Sequence, residues 1–330
     1  MKKPKASVGK LIMVVVLLFL AIIAVYLIDK RASQELICNG HKELCNRRLD
    51  EVAIAMTHNG MSIADYGWFG PSHKDSITNQ LNAGIRGIML DTHYYDAATS
   101  IATYFPDASV EQLEKIGKIV DGIKMKKKDG TYLCHLLCHL GSSILSEGLS
   151  EITTFLDENP AEVVVIIFED KITNKDTLQA FEESELIKYV YTHSPDQPWP
   201  TLGELIKQNK RLVVMAEVEN PPPAWYHHAW DYVEETPYSY KTAKEMNCIP
   251  NRGNTNKPFF LINHWLEKIE PSVEDAEKVN EYQFLLKRAQ KCAKERNHRV
   301  PNFIAVNFYN RGDVIKVVDK LNNVNQTDSQ

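Results

Sequence analysis

Short apolar runs in this chain end repeatedly on residues capable of acid–base chemistry. Val52-Ala53-Ile54-Ala55-Met56 runs into Thr57-His58-Asn59, and Ile85-Arg86-Gly87-Ile88-Met89-Leu90 into Asp91-Thr92-His93. Tyr132-Leu133-Cys134 ends at His135, and Val163-Val164-Val165-Ile166-Ile167-Phe168 at Glu169-Asp170. The runs starting at Leu212, Phe259 and Phe303 end at Glu217, at Asn263-His264 and at Asn307. Continuous apolar runs separated by helical stretches are what strands covered on both faces require. Polar residues gathered at the C-terminal ends of such strands are how a (β/α) barrel builds its active site. The pattern predicts an α/β chain with a (β/α)8 barrel of the TIM type.

Helical spacing falls between the runs. Residues 75–82 close at Gly84, and 142–158 place Ile144, Leu145, Leu149, Ile152, Phe155 and Leu156 on one side before Pro160. Thr201 with Glu204 reads as a capping box for 201–208. One long helix is expected over 272–295 and a last one over 313–321. Pro221-Pro222-Pro223 and the aromatic-rich 225–240 read as an irregular loop over the barrel mouth. Trp68, Phe69, Trp225, Tyr226 and Trp230 either dip into a lipid surface or pack beneath loops.

The N-terminus changes the compartment. Residues 11–28 are apolar apart from Tyr26, follow Lys2, Lys3, Lys5 and Lys10, and end at Asp29-Lys30-Arg31. A run of about 18 residues just spans a bilayer. The expected division is a basic cytosolic segment 1–10, a transmembrane signal anchor 11–28, a linker 29–37, the barrel 38–324 and a tail 325–330. The lysines leave the barrel outside the cytosol as a single-pass membrane protein, or secreted if the segment is cleaved. Six cysteines, an even count in an exported chain, favour disulfides. Cys38 with Cys45 would close a small loop, while the connectivity as a whole stays open. Zinc bound through Cys134, His135, Cys138 and His139 is the rival. A net charge of −5 argues against nucleic acid as the partner, and no obligate protein partner is evident. The lysines at 124 and 126–128 read as a solvated loop, or else as a contact with an anionic membrane surface.

His58 and His135, with Asp91 and Glu169 on intervening strands, suit acid–base catalysis near neutral pH. The carboxylates and Asn59 together suit a hard cation that offsets charge building on a phosphoryl group. Phosphodiester cleavage is the reaction class that uses this set.

The chain resembles the phosphatidylinositol-specific phospholipase C X-domain-like family. The resemblance runs through Cys38-Asn-Gly-His-Lys-Glu-Leu-Cys45, Ala55-Met-Thr-His-Asn59, Thr78-Asn-Gln-Leu-Asn-Ala-Gly-Ile-Arg-Gly-Ile-Met-Leu-Asp91 and Leu133-Cys-His135. It continues through Asn159-Pro-Ala-Glu-Val-Val-Val-Ile-Ile-Phe-Glu-Asp170, Trp199-Pro-Thr201 and Pro301-Asn-Phe-Ile-Ala-Val-Asn-Phe-Tyr309. It implies cleavage of the glycerol–phosphate bond of an inositol or related membrane phospholipid, with His58 as general base and His135 as general acid. It also implies a divalent cation, Ca2+ or Mg2+, on Asn59, Asp91 and Glu169. Met89 stands where calcium-using members carry Glu, and Arg86 is an alternative source of positive charge. His93, Lys171, Glu217, Asn307 and Tyr309 are expected around the substrate, with Asn307 also able to orient His58. A metal-dependent glycerophosphodiester or sphingomyelin-type phosphodiesterase and an inactive membrane-anchored binding protein are the alternatives.

Overall fold

The computed structural model describes residues 36–95, 128–135, 137–218, 223–298 and 300–325, with isolated positions at 13, 15–17, 109, 111–112 and 115–118. Most of the expected anchor 11–28, the lysines at 124 and 126–127 and the last five residues lie outside the described residues. Among those described, no helix is long and apolar enough to cross a membrane. All elements below belong to the unit Ile37–Gln330.

Among the described residues ten strands form the sheet: β1 (Ile54–Thr57), β2 (Gly87–Tyr94), β3 (Thr131–Leu133), β4 (Ser143–Ile144), β5 (Val164–Asp170), β6 (Leu212–Ala216), β7 (Tyr226–His228), β8 (Val233–Glu235), β9 (Phe259–His264) and β10 (Phe303–Val306). Eight run parallel in the order β7-β6-β5-β2-β1-β10-β9-β8. The predicted apolar runs at β1, β5, β6, β9 and β10 are buried on both faces, as a helix-covered parallel sheet demands.

Closure is incomplete. β7 and β8 end the order and are joined by the one-turn helix Ala229–Tyr232, with no ladder between them among the described residues. The expected closed barrel is therefore corrected to a curled, open parallel sheet. The run ending at His135 is a second correction. β2 outgrows its parallel pairing with β5 at Thr92, and its last residues pair antiparallel with β3. β3 is thus a flap on the sheet rather than a barrel strand.

The helix Leu145–Glu158 buries Leu145, Leu149, Ile152, Phe155 and Leu156. Its C-terminal carbonyls, which a helix cannot satisfy itself, are met by Arg211: Nη2 donates to Leu156 O (2.8 Å) and Nη1 to Asn159 O (2.9 Å). Leu202–Lys207 carries the expected Thr201/Glu204 capping box. The single helix expected over 272–295 is two, Val273–Val279 and Tyr282–Glu295. The break has a cause: buried Asn280 donates its side chain to Asn307 O (3.0 Å), and the Glu281 carboxylate caps Phe284 N–H (2.9 Å). Disulfides join Cys38–Cys45, Cys134–Cys138 and Cys248–Cys292. The zinc alternative falls, because both of its sulfurs are consumed.

Candidate active site

The site begins where β1 ends. The His58 N–H donates to Val306 O (3.0 Å), which holds the residue against β10. Asn59 then turns the chain at φ +50°, a left-handed conformation that Asn tolerates well. Gly60 follows because a Cβ there would lie 2.6 Å from the Ile88 side chain.

Three groups fix the His58 side of the site. Its Nδ1 lies 2.9 Å from Asn307 Oδ1, and the ring stacks on Trp265 at 3.7 Å and 5°. Its carbonyl accepts from His73 Nε2 (2.8 Å). An amide oxygen only accepts, so Nδ1 carries the proton and Nε2 keeps its lone pair. Burial pushes the His58 pKa down to about 3, helped by the nearby His135 and His73 and opposed by the bond to Asn307. A neutral imidazole with its Nε2 lone pair available is in the protonation state that a general base requires at neutral pH.

His135 has a different partner. Its Nδ1 lies 2.6 Å from Asp91 Oδ2, and the Asp91 side chain is only 6% exposed. Burial works to lower the His135 pKa, but the Asp91 hydrogen bond and charge, with Glu169 and Glu267 beyond, leave it raised. β2–β3 pairing produces this dyad, with the Cys134 N–H donating to Asp91 O (3.2 Å).

Both histidines line one cavity of about 100 Å³, together with Asn59, Met89, Asp91 and Glu169. Its far wall is Glu217, Tyr238, Arg252, Asn263 and Trp265. The Arg252 guanidinium donates from Nη1 to Glu217 (2.7 Å) and from Nε to fully buried Glu235 (2.5 Å). It also lies over the rings of Trp230 and Tyr238. Burial lifts the Glu217 pKa to about 7 against the pull of Arg252. A larger cavity, about 640 Å³, opens among residues that include His41, Ala53, Gly84, Arg86 and Asp319, and is lined by neither His58 nor His135.

The other expected residues separate. Lys171 pairs with Glu169 (3.2 Å). His93 stands on the outgrown end of β2, two residues past Asp91 and off the cavity wall; burial lowers its pKa against the charges of Asp91 and Glu169. Arg86 is corrected from charge supplier to structural anchor. It lies before β2, bonded to Glu162 (2.6 Å) and to the carbonyls of Leu81 and Ile85. Tyr309 is corrected likewise, since its hydroxyl donates to Asp75 (3.3 Å) and it does not reach the cavity. Trp68 and Tyr226 are buried, and Trp225 packs against the core, so these rings lie beneath loops. Trp265 and Arg252 were not anticipated. Trp265 directly follows the Asn263-His264 strand end, a signal that was available, whereas nothing local marks Arg252.

The implied calcium finds no suitable seat. Asp91 is bound to His135, Glu169 to Lys171 and Glu217 to Arg252, and Met89 offers a thioether where a carboxylate is needed. Among the described residues, no three of His, Cys, Asp and Glu form a metal-holding group. Ca2+ usually takes about 6–8 oxygens. Asn59, Asp91 and Glu169 share the cavity, but these donors do not fit the ion.

The curled, mostly parallel α/β sheet and its antiparallel flap bring the histidine pair to one cavity. The family model PI-PLC X 1 matches residues 106–322. The chain belongs to the PI-PLC X domain family. It is 28% identical over 315 residues to PI-PLC X domain-containing protein 1 of Arthroderma benhamiae, covering 88% of this chain and 90% of that one. A PI-PLC X domain-containing protein of Arabidopsis thaliana is 29% identical over 296 residues, 81% of this chain and 61% of its own length. In structure the chain resembles a phosphatidylinositol-specific phospholipase C of Staphylococcus aureus, with TM-score 0.50, 10% identity and coverage of 85% and 94% of the two chains. That likeness is one of fold.

Proposed function

We propose that this protein is a phosphodiesterase of the phospholipase C type, cleaving the glycerol–phosphate bond of an inositol phospholipid or a closely related lipid. One observation carries the reading: two histidines face one cavity with different partners on Nδ1, the Asn307 amide oxygen for His58 and the Asp91 carboxylate for His135. His58 Nε2 takes the proton of the headgroup hydroxyl next to the phosphate, and that oxygen attacks phosphorus. His135 gives its proton to the departing glyceride oxygen. The products are diacylglycerol and a cyclic headgroup phosphate. Arg252 and Asn59 face the same cavity, so charge developing on phosphate is met by the chain's own groups. The disulfides suit an oxidising compartment. We place the enzyme domain outside the cytosol, anchored near its lipid by residues 11–28.

The test follows diacylglycerol and cyclic inositol phosphate from phosphatidylinositol in mixed micelles, with EDTA or Ca2+. Turnover that survives EDTA and drops at least about 100-fold in His58→Ala and His135→Ala is expected. Full activity in both variants overturns the catalytic assignment. Loss in EDTA with rescue by Ca2+ favours the metal-dependent reading instead.

A further inference from the structure

His135 lies inside a five-residue ring closed by the Cys134–Cys138 disulfide, whose Cα atoms are 5.0 Å apart. Both ends of that ring are anchored in the body of the protein. On one side Cys134, fully buried, follows the short strand β3 and donates its N–H to Asp91 O (3.2 Å). On the other side Cys138 opens the buried 3-10 turn Cys138–Leu140. Leu140 O accepts from Phe69 N–H (2.7 Å), and the His139 ring sits edge-on to Tyr95 at 4.6 Å. The strand that leads into the first anchor, β3, has only three residues, paired with the end of β2 and with the two-residue β4. Such a flap offers few ladder bonds to hold a side chain in place.

We infer that the Cys134–Cys138 disulfide positions His135, restricting its loop to the conformation in which Nδ1 meets Asp91. The argument rests on the covalent connectivity and the two anchors, and its kinetic part rests on the function proposed above. With the bond in place, the residues around His135 have a short closed ring to explore, and the imidazole keeps its 2.6 Å contact with Asp91. Without it, the loop loses its covalent closure, and the population with the His135–Asp91 contact formed falls. Misplacement of a catalytic group by about 1 Å costs on the order of 100-fold in rate. Cys134 and Cys138 are therefore positioning residues that act through His135. The Cys38–Cys45 disulfide closes an eight-residue N-terminal loop away from the cavity and serves as the control.

The experiment compares the full-length wild type with Cys134→Ser/Cys138→Ser and Cys38→Ser/Cys45→Ser, using two readouts. The first is kcat and KM on phosphatidylinositol micelles. The second needs no substrate: the Nδ1–H proton resonance of His135 in protein labelled with 15N-histidine, assigned by its disappearance in His135→Gln. The expected result is a kcat loss of about tenfold or more with KM within about twofold, and a weakened His135 Nδ1–H signal. The Cys38→Ser/Cys45→Ser variant keeps both readouts. If the serine pair does not fold, Cys134→Ala/Cys138→Val, which keeps both positions apolar, replaces it. An unchanged Nδ1–H resonance in a folded Cys134/Cys138 variant overturns the inference. A wild type with no turnover on lipid counts against the proposed function, and the resonance still decides the clamp.

Discussion

At the scale of single residues, a histidine at a strand end gains a chemical role from what its second ring nitrogen touches. His58 meets an amide oxygen and His135 a carboxylate, and under the proposed mechanism this difference of partner separates base from acid. The pH profile reads it directly. A base works when unprotonated, so activity falls as pH drops through its pKa. Asn307→Asp adds a charge that favours imidazolium, raising the His58 pKa from about 3 and moving the acid limb of kcat/KM to higher pH. Asn307→Ala removes the partner and is expected to cost about 10–100-fold in kcat. The acid works when protonated, so activity falls as pH rises through its pKa. Asp91→Asn removes the charge that lifts His135, and the basic limb moves to lower pH. A pH–rate series on the three variants measures both shifts; limbs that stay in place would show that these partners do not set the roles.

At the scale of elements, the open seam of the sheet shows a buried ion pair standing in for apolar character. β8 reads Val233-Glu234-Glu235, and all three residues are fully buried. Glu234 is bonded to Arg296 and His298, and Glu235 to Arg252 and Asn263. Glu234→Ala strands the Arg296 guanidinium, which is only 5% exposed. Loss of about 3–5 kcal/mol of unfolding free energy in urea is expected. A loss below about 1 kcal/mol would mean the pair holds little of β8. The same chemistry explains what could be read in advance. β1, β5, β6, β9 and β10 announce themselves as apolar runs because helices cover both faces. β7 and β8 were read as loop because Tyr226-His227-His228 and Glu234-Glu235 look solvent-facing until their partners, distant in sequence, are known. The histidine pair was legible because each lies at the end of a run. The antiparallel course of β3 was not, since direction is set by pairing with β2 rather than by residue type. Arg252 was invisible for a similar reason, being recruited by Glu217 and Glu235.

At the scale of the whole molecule, the fold holds several histidines neutral by burying them, and this makes its stability depend on pH. Burial brings His264 down to about 3, with the Arg288 charge adding to it, and brings His73 down to about 4. His193 and His227 are lowered by the same cause. The folded pKa lies below the unfolded value of about 6.5, so the unfolded chain binds protons first as pH falls. The stability tied to these groups is complete above about pH 6.5 and is lost progressively towards pH 3–4. Carboxylates add their own acid dependence, so the histidine contribution must be isolated by a difference. His264 donates from Nε2 to Val279 O (2.7 Å) and accepts from Arg288 at Nδ1 (2.7 Å). Gln can donate and accept as well, but it does not titrate in this range. His264→Gln is therefore expected to be less stable than wild type at pH 7.5, through imperfect packing. The gap should narrow by on the order of 2–3 kcal/mol by pH 4, as only the wild type pays for keeping this imidazole uncharged. Urea unfolding of both proteins from pH 7.5 to 4 measures that gap. A gap constant across the range would mean that His264 accepts a proton in the folded state as readily as in the unfolded chain, and that acid sensitivity arises elsewhere.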